Sequence, residues 1–145
     1  MTKKNKRTIF CVDDDVLFLK SFELEFKEDK SLIVVTFSTG ESCIEKLSLK
    51  PDVIILDYFL NGLDKDAMNG LKTLDEIKAR THDTPVIMLS SQDSIEVAIN
   101  CMHHQAYDYV VKSETAFLRL RKTISSIFLY KKMEQQLKGF GDRVK

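Results

Sequence analysis

Apolar residues occur along the chain in short continuous runs, and each run ends on polar or charged residues. The clearest run covers residues 53–56, follows Pro51 and Asp52, and ends on Asp57. Such a run, rich in β-branched residues and preceded by turn residues, is typical of a strand buried on both faces of a sheet. Similar runs predict further strands at residues 8–12, 31–37, 86–89 and 108–111. The pattern therefore predicts five strands.

Between the strands, apolar residues recur every three or four positions, as on a helix with one buried face. The stripes are Leu19, Phe22 and Phe26; Cys43, Ile44 and Leu47; Leu71, Leu74 and Ile77; Ile95, Ala98, Ile99 and Met102; and Phe117, Leu118, Leu120, Ile124, Ile127 and Phe128. Strands and helices thus alternate five times along the chain. This alternation is typical of an α/β fold, in which helix layers cover a parallel sheet.

Turn and capping residues mark where the predicted elements begin and end. Ser38 or Thr39 is expected to cap the second helix, and Asp93 or Ser94 the fourth. Residues 58–70 have no clear period and contain two Asn-Gly pairs, which is typical of a loop. The tail from about residue 139 is expected to fray.

Composition narrows the class of protein. A chain of 145 residues is expected to form one domain, and the balance of 22 basic and 22 acidic residues favours neither nucleic-acid nor membrane binding. The basic N-terminus is not followed by a long apolar stretch, which argues against a signal peptide. Three scattered cysteines, Cys11, Cys43 and Cys101, fit buried, reduced thiols. We therefore expect a cytoplasmic protein.

The strand ends carry the candidate chemistry. Asp13, Asp14, Asp57, Ser90 and Lys112 all lie where a predicted strand ends, and ligands bind at this edge of a parallel sheet. Carboxylates close together raise each other's pKa unless a cation lies among them, and Mg²⁺ suits such a site. The lysine and the serine hydroxyl suit a phosphoryl group. The pattern predicts Mg²⁺-dependent phosphoryl transfer to one of the aspartates.

Each of these residues also has a purely structural interpretation. The run from Asp13 to Asp15 could cap the first helix, Ser90 could belong to a turn, and Lys112 could be solvated. Tyr109 could be an ordinary half-buried strand residue. Only the combination on successive strand ends favours a functional site.

Five motifs together resemble one known family. They are VDDD at residues 12–15, IILDYFL at 54–60, NG at 69–70, TPVIMLSS at 84–91 and AYDYVVK at 106–112. In this order, the chain resembles the receiver domains of two-component response regulators, the chemotaxis-regulator-like family, over about residues 7–133. The resemblance implies a flavodoxin-like, doubly wound five-stranded parallel sheet of order 2-1-3-4-5, with helices on both faces. It implies one receiver domain over residues 1–145, with a helix end and frayed tail at 134–145.

The resemblance also implies a role for each residue of the site. Asp57 would accept the phosphoryl group, with Asp13, Ser90 and Lys112 assisting. The side chains of Asp14 and Asp57 and the backbone carbonyl of Phe59 would bind Mg²⁺ directly, and Asp13 would bind it through water. Ser90 would be the switch hydroxyl, Tyr109 the switch aromatic residue, and Lys112 the phosphate-binding lysine.

The family further implies partners and an output. The phosphoryl donor would be a sensor histidine kinase or a phosphotransfer protein. The face formed by the fourth helix, last strand and last helix would control an effector protein or output domain. The long last helix, continuing toward Leu137, would itself suit either a homodimer contact or a connector to another domain. The chain would catalyse only its own phosphorylation and dephosphorylation. From its balanced charge, we expect it to bind neither nucleic acid nor membrane directly. Which kinase and which output, and whether the domain stands alone, are left open.

Three departures from the family pattern stand out. About five residues, 63–67, are inserted between Leu60 and Asn69, beside the phosphorylation site. Ser113 replaces the usual cis proline after Lys112, which leaves open whether that peptide bond is cis, because a non-proline cis bond costs about 2.5–4 kcal/mol. Gln105 replaces a frequent glycine and is expected to adopt a left-handed conformation.

Two other functions compete with this interpretation. A phosphatase of the haloacid-dehalogenase type would use Asp13 and Asp15, but it needs a further acidic pair beyond Lys112, where only Asp142 in the tail is a plausible candidate. It also leaves Asp57 unexplained. A phosphorylation-independent adaptor with the receiver fold would need none of the site residues, although all of them are present.

Overall fold

The computed structural model describes residues 6–62 and 65–144, of which 140–144 are described by their backbone alone. The strands are β1 (Arg7–Val12), β2 (Leu32–Phe37), β3 (Val53–Asp57), β4 (Val86–Ser90) and β5 (Asp108–Val111). The helices are α1 (Val16–Lys27), α2 (Gly40–Glu45), α3 (Gly70–Arg80), α4 (Ile95–His103) and α5 (Ala116–Val144). A short 3-10 turn, Leu47–Leu49, follows α2.

All five strands belong to one parallel sheet of order β2-β1-β3-β4-β5. The first strand therefore lies inside the sheet, with Ile9 paired to Val34 on one side and to Val53 on the other. This arrangement confirms the predicted fold class and strand order. It also brings the ends of β1, β3 and β4 side by side at the carboxyl edge of the sheet.

Successive residues of the central strands face opposite sides of the sheet, so each side has its own core. Ile9, Cys11 and Ile55 pack on the side covered by α1 and α5. Phe10 and Ile54, their neighbours along the strands, pack on the side covered by α2, α3 and α4. Burial on both faces explains why these strands are continuous apolar runs rather than alternating ones.

Side-chain caps begin four of the helices. The capping residues are Asp15 for α1, Thr39 for α2, Asn69 for α3 and Ser94 for α4. Each accepts a hydrogen bond from a backbone N–H of the first turn, which has no partner within the helix. The caps settle the alternatives left open by the sequence for the second and fourth helices.

The sequence suggests a frayed tail from about residue 139, whereas the backbone of the structure is helical in α5 as far as Val144. The stretch 129–138 consists almost entirely of residues that favour helices, and Gly139 only weakens this preference without reversing it. Within the part of the chain described, no peptide bond is cis, so Lys112–Ser113 is trans. Gln105 has φ 73°, which confirms the left-handed conformation expected for it. No helix of the described residues is long and apolar enough to span a bilayer.

Candidate functional site

Three aspartates meet at the carboxyl edge of the sheet. Asp13, Asp14 and Asp57 each place a carboxylate oxygen within 4.8 Å of those of the other two. Asp13 and Asp57 are buried, whereas Asp14 is half-buried. A half-open cluster of carboxylate oxygens suits a hard divalent cation that keeps part of its water shell. The structure therefore brings together the carboxylates that the sequence selected.

The three consecutive aspartates after β1 have different roles. Asp13 extends the strand ladder, since its backbone nitrogen lies 3.0 Å from the carbonyl oxygen of Phe37. Its Oδ1 accepts a hydrogen bond of 2.9 Å from the N–H of Asp15, whose own side chain caps α1. The structural interpretation of the aspartate run thus holds for Asp15. Asp13 and Asp14 remain available to the site.

Lys112 supplies the positive charge beside the cluster. Its Nζ lies 2.6 Å from Oδ2 of Asp13 and 3.5 Å from Oδ1 of Asp57. The backbone N–H of Lys112 donates to the carbonyl of Ser90, which fixes the end of β5 against β4. The ammonium group also lies 4.5 Å from the centre of the Phe18 ring, a cation–π distance. Lys112 is therefore held in place rather than freely solvated.

Burial and like charge make the carboxylates of the site hard to ionise. Burial, followed by the charge of Asp13, raises the pKa of Asp57 from 3.8 to about 7, although Lys112 opposes the shift. Burial also raises the pKa of Asp13. Burial by itself would lower the pKa of Lys112, but its contacts with Asp13 and Asp57 outweigh that effect and raise it. The site thus favours an added positive charge.

Ser90 and Tyr109 are joined through Gln92. Ser90 is buried at the end of β4, and its Oγ accepts a 3.0 Å hydrogen bond from the N–H of Gln92. The Tyr109 hydroxyl donates to the carbonyl of the same residue. The Tyr109 ring is buried in this structure. Any movement of Ser90 that displaces Gln92 must therefore disturb Tyr109.

The loop between β3 and α3 contributes a contact that the sequence did not reveal. The nitrogen of Gly62 lies 3.2 Å from Oδ2 of Asp14, and its N–H donates to that oxygen. The Asn61-Gly62 pair indicated a turn, but nothing in the sequence relates it to a residue 48 positions earlier. Of the inserted stretch, residues 63 and 64 lie outside those that the structure describes. The Phe59 side chain is exposed, and its carbonyl remains a predicted ligand.

Comparison with known proteins relates this site to a family. The family model of the response regulator receiver domain matches residues 9–125. A protein-glutamate methylesterase/protein-glutamine glutaminase of Clostridium acetobutylicum is 31% identical over 116 residues, which are 77% of this chain and 32% of that protein. The regulatory protein LuxO of Vibrio cholerae is 33% identical over 89 residues, which are 61% of this chain and 18% of that protein. The chain thus spans about a third or less of the length of these relatives.

Solved structures agree with the family match. The receiver domain of NtrX from Brucella abortus superposes with a TM-score of 0.72 at 28% identity, covering 82% of this chain and 96% of that one. The strand order is the one expected for this family, and the clustered aspartates and the lysine beside them lie together at the carboxyl edge of the sheet. The chain therefore belongs to the receiver domains of two-component response regulators.

Proposed function

We propose that Asp57 accepts a phosphoryl group from the phosphohistidine of a sensor histidine kinase or a phosphotransfer protein. The observation that carries this proposal is the position of Asp57, buried at the end of β3, with Lys112 Nζ 3.5 Å from its Oδ1. A carboxylate oxygen of Asp57 attacks phosphorus, and the P–N bond breaks. The imidazole of the donor leaves with the electron pair. The chain is then a signalling phospho-acceptor and not an enzyme acting on an outside substrate.

The same residues fit the Mg²⁺ ion that the family implies. The cluster holds three carboxylates, and among the described residues a single ammonium group, that of Lys112, pairs with two of them, Asp13 and Asp57. The side chains of Asp14 and Asp57 and the carbonyl of Phe59 would hold the ion, with Asp13 acting through water. When bound, Mg²⁺ supplies positive charge that stabilises the oxygens of the transferring phosphoryl group.

Lys112 and Ser90 are proposed to read the phosphorylated state. Lys112 exchanges part of its ion pair with Asp13 for a phosphoryl oxygen, and the Ser90 hydroxyl donates to another. Movement of Ser90 then displaces the Gln92 backbone, whose N–H donates to the Ser90 hydroxyl. The Gln92 carbonyl, which accepts from the Tyr109 hydroxyl, transmits this displacement to Tyr109. The face formed by α4, β5 and α5 shifts its population between two states as a result.

The partners are proposed from the family and from the surface of the chain. The face of α4, β5 and α5 controls a downstream effector protein or output domain. The exposed Tyr130, Met133 and Leu137 on α5 support a homodimer through this helix. The free, buried cysteines support action in the cytoplasm, and the zero net charge supports the absence of direct contact with nucleic acid or membrane.

Phosphorylation by acetyl phosphate, read by intact mass, tests the proposal. Wild-type protein is expected to gain one labile phosphoryl adduct when Mg²⁺ is present, and Asp57→Asn to gain none. Asp83→Asn is the matched control, because the Asp83 side chain is 90% exposed in the turn between α3 and β4. The control variant is expected to behave as wild type.

The other outcomes separate the remaining candidates. Folded protein that gains no adduct from acetyl phosphate or from histidine kinases would favour the phosphorylation-independent adaptor. Continuous release of phosphate from many esters would favour the phosphatase of the haloacid-dehalogenase type. No feature of the structure favours either candidate over the receiver.

A further inference from the structure

The ammonium group of Lys112 has an aromatic neighbour as well as its two carboxylate partners. Its Nζ lies 4.5 Å from the centre of the Phe18 ring, in the first turn of α1. The face of an aromatic ring carries partial negative charge, so it attracts a cation placed over it. The attraction is stronger where water is excluded, and the Lys112 side chain is only 21% exposed. The contact therefore contributes to holding the lysine.

The start of α1 fixes the place of the Phe18 backbone. Oδ1 of Asp13 accepts a hydrogen bond from the N–H of Asp15, with 2.9 Å between nitrogen and oxygen. Oδ1 of Asp15 in turn accepts from the N–H of Phe18, at 3.3 Å. The carboxylate that pairs with Lys112 and the ring beside Lys112 thus belong to one hydrogen-bonded segment, residues 13–18.

Aromatic packing fixes the ring itself. The centres of the Phe18 and Phe117 rings are 5.6 Å apart, which joins α1 to the first turn of α5. Phe117 also meets Phe22 and Phe26, each edge to face with 6.2 Å between ring centres. All four side chains belong to the core on the side of α1 and α5. Phe18 is therefore part of a packed cluster and not a freely moving surface side chain.

A ring suits this position better than a further acidic side chain would. The lysine ammonium group has three N–H donors on a flexible stem, and fixing such a stem costs rotamer entropy. A ring attracts the charge but is only a weak hydrogen-bond acceptor, so the donors remain available for carboxylate and phosphoryl oxygens. It also adds no full negative charge that would repel the incoming phosphoryl group.

We propose that Phe18 is a positioning residue for phosphoryl transfer, because its ring holds the Lys112 ammonium group within reach of Asp13 and Asp57. This inference rests on the proposed function, in which Asp57 receives the phosphoryl group and Lys112 binds one of its oxygens. Phe18 acts through the lysine and not on the reacting atoms. It limits the conformations of the lysine stem beforehand, so less entropy is lost in the transition state.

Rates of phosphorylation by acetyl phosphate at saturating Mg²⁺ test this role. Phe18→Leu is expected to slow the reaction about threefold to thirtyfold, the fold-change that corresponds to one cation–π contact. Phe18→Tyr keeps the ring face and is expected to retain most of the rate. Phe117→Leu makes the same change in the same aromatic cluster and is the matched control. Its rate is expected to stay within about twofold of that of wild type.

Two further measurements separate positioning from a general loss of packing. In a double-mutant cycle, Phe18→Leu is expected to slow the wild-type protein but to cause no further slowing in Lys112→Met, which has no ammonium group to position. In nuclear magnetic resonance spectra, the Cε protons of Lys112 are expected to be displaced upfield by the ring current of Phe18. The displacement should persist in Phe117→Leu and disappear in Phe18→Leu.

The remaining outcomes distinguish failure of the inference from failure of the proposed function. Equal slowing by Phe18→Leu and Phe117→Leu would overturn the inference and leave the proposed function intact. The same conclusion would follow from slowing that persists in Lys112→Met, or from Lys112 resonances that are not displaced upfield in the wild type. Wild-type protein that gains no phosphoryl adduct from any donor would overturn the proposed function, and the positioning role with it.

Discussion

Lys112 pairs more closely with Asp13, at 2.6 Å, than with Asp57, at 3.5 Å. The lysine thus rests on the carboxylate beside the proposed phosphoryl acceptor. Its ammonium group also lies 4.5 Å from the centre of the Phe18 ring. A phosphoryl group on Asp57 would add negative charge at the carboxylate to which Lys112 makes its longer contact. The geometry therefore makes Lys112 sensitive to phosphorylation.

Replacing Lys112 with methionine is expected to have opposite effects on cation binding and on phosphoryl transfer. Lys112→Met keeps most of the stem but removes the only ammonium group paired with the cluster among the described residues, so the affinity for Mn²⁺ should rise. Phosphorylation by acetyl phosphate should slow about 10²-fold, as when one charged donor to a transition state is lost. Lys20→Met, an exposed change on α1, is the control. A variant that loses both properties together would indicate disruption of the fold instead.

Much of this site can be predicted from the sequence because it depends on strand ends. Continuous apolar runs locate the strands, and a parallel sheet brings their carboxyl ends to one edge. Asp57, Ser90 and Lys112 could be placed at this edge from their positions, whereas their individual roles were implied only by the family resemblance. The sequence does not show which aspartate of the run caps the helix and which ones bind a metal, because both roles favour acidic residues after a strand. Only the hydrogen bonds that the Asp15 side chain accepts from the N–H groups of Leu17 and Phe18 identify Asp15 as the cap.

The contacts of the loop and the length of the last helix escaped prediction for physical reasons. The Gly62–Asp14 hydrogen bond joins a backbone donor to a distant side chain. Every residue except proline carries the same backbone N–H, so the sequence does not indicate which one donates. The same is true of the Gln92 amide and carbonyl that link Ser90 to Tyr109. At the end of α5, glycine in the sequence suggested fraying, but its unfavourable helix propensity is only about 1 kcal/mol.

The stability of the metal-free protein is expected to fall as the pH rises from about 4 to about 7. The pKa of Asp57 is raised from 3.8 to about 7, so in this range the folded protein keeps a proton that the unfolded chain has already lost. The loss should be of the order of a few kcal/mol and complete above pH 7. Denaturant unfolding at pH 5 and pH 8, with a chelator present, measures it.

Asp57→Asn supplies the comparison for this pH dependence. The amide does not titrate, so the variant should lose less stability than wild type between pH 5 and pH 8. Mg²⁺ should restore part of the loss in wild type at pH 8, because a cation favours the ionised carboxylate. Identical pH profiles for the two proteins would show that Asp57 ionises normally.

Tyr109→Phe tests the connection between the Tyr109 ring and Ser90. The change removes the hydroxyl that donates to the carbonyl of Gln92, and the free energy of unfolding should fall by about 1 kcal/mol. The initial rate of phosphorylation should stay near that of wild type, since the hydroxyl that is removed donates to the carbonyl of Gln92 and not to a carboxylate of the cluster. The chemical shift of the Gln92 amide, whose N–H donates to Ser90, should change in the unphosphorylated variant. An unchanged chemical shift of the Gln92 amide would show that Tyr109 is not coupled to Ser90 through this residue.

The exposed apolar side chains on the last helix predict self-association. Tyr130, Met133 and Leu137 are 63%, 51% and 70% exposed and follow the three- and four-residue spacing of a coiled-coil seam. Wild-type protein is therefore expected to form dimers in sedimentation velocity as its concentration rises. Leu137→Glu should weaken the dimer at least about tenfold, because it places a charge in the seam. Gln135→Glu adds the same charge on the opposite side of the helix and should leave the dimer intact. Equal effects of the two changes would place the contact elsewhere, and a wild-type monomer at every concentration would remove α5 as a dimer surface.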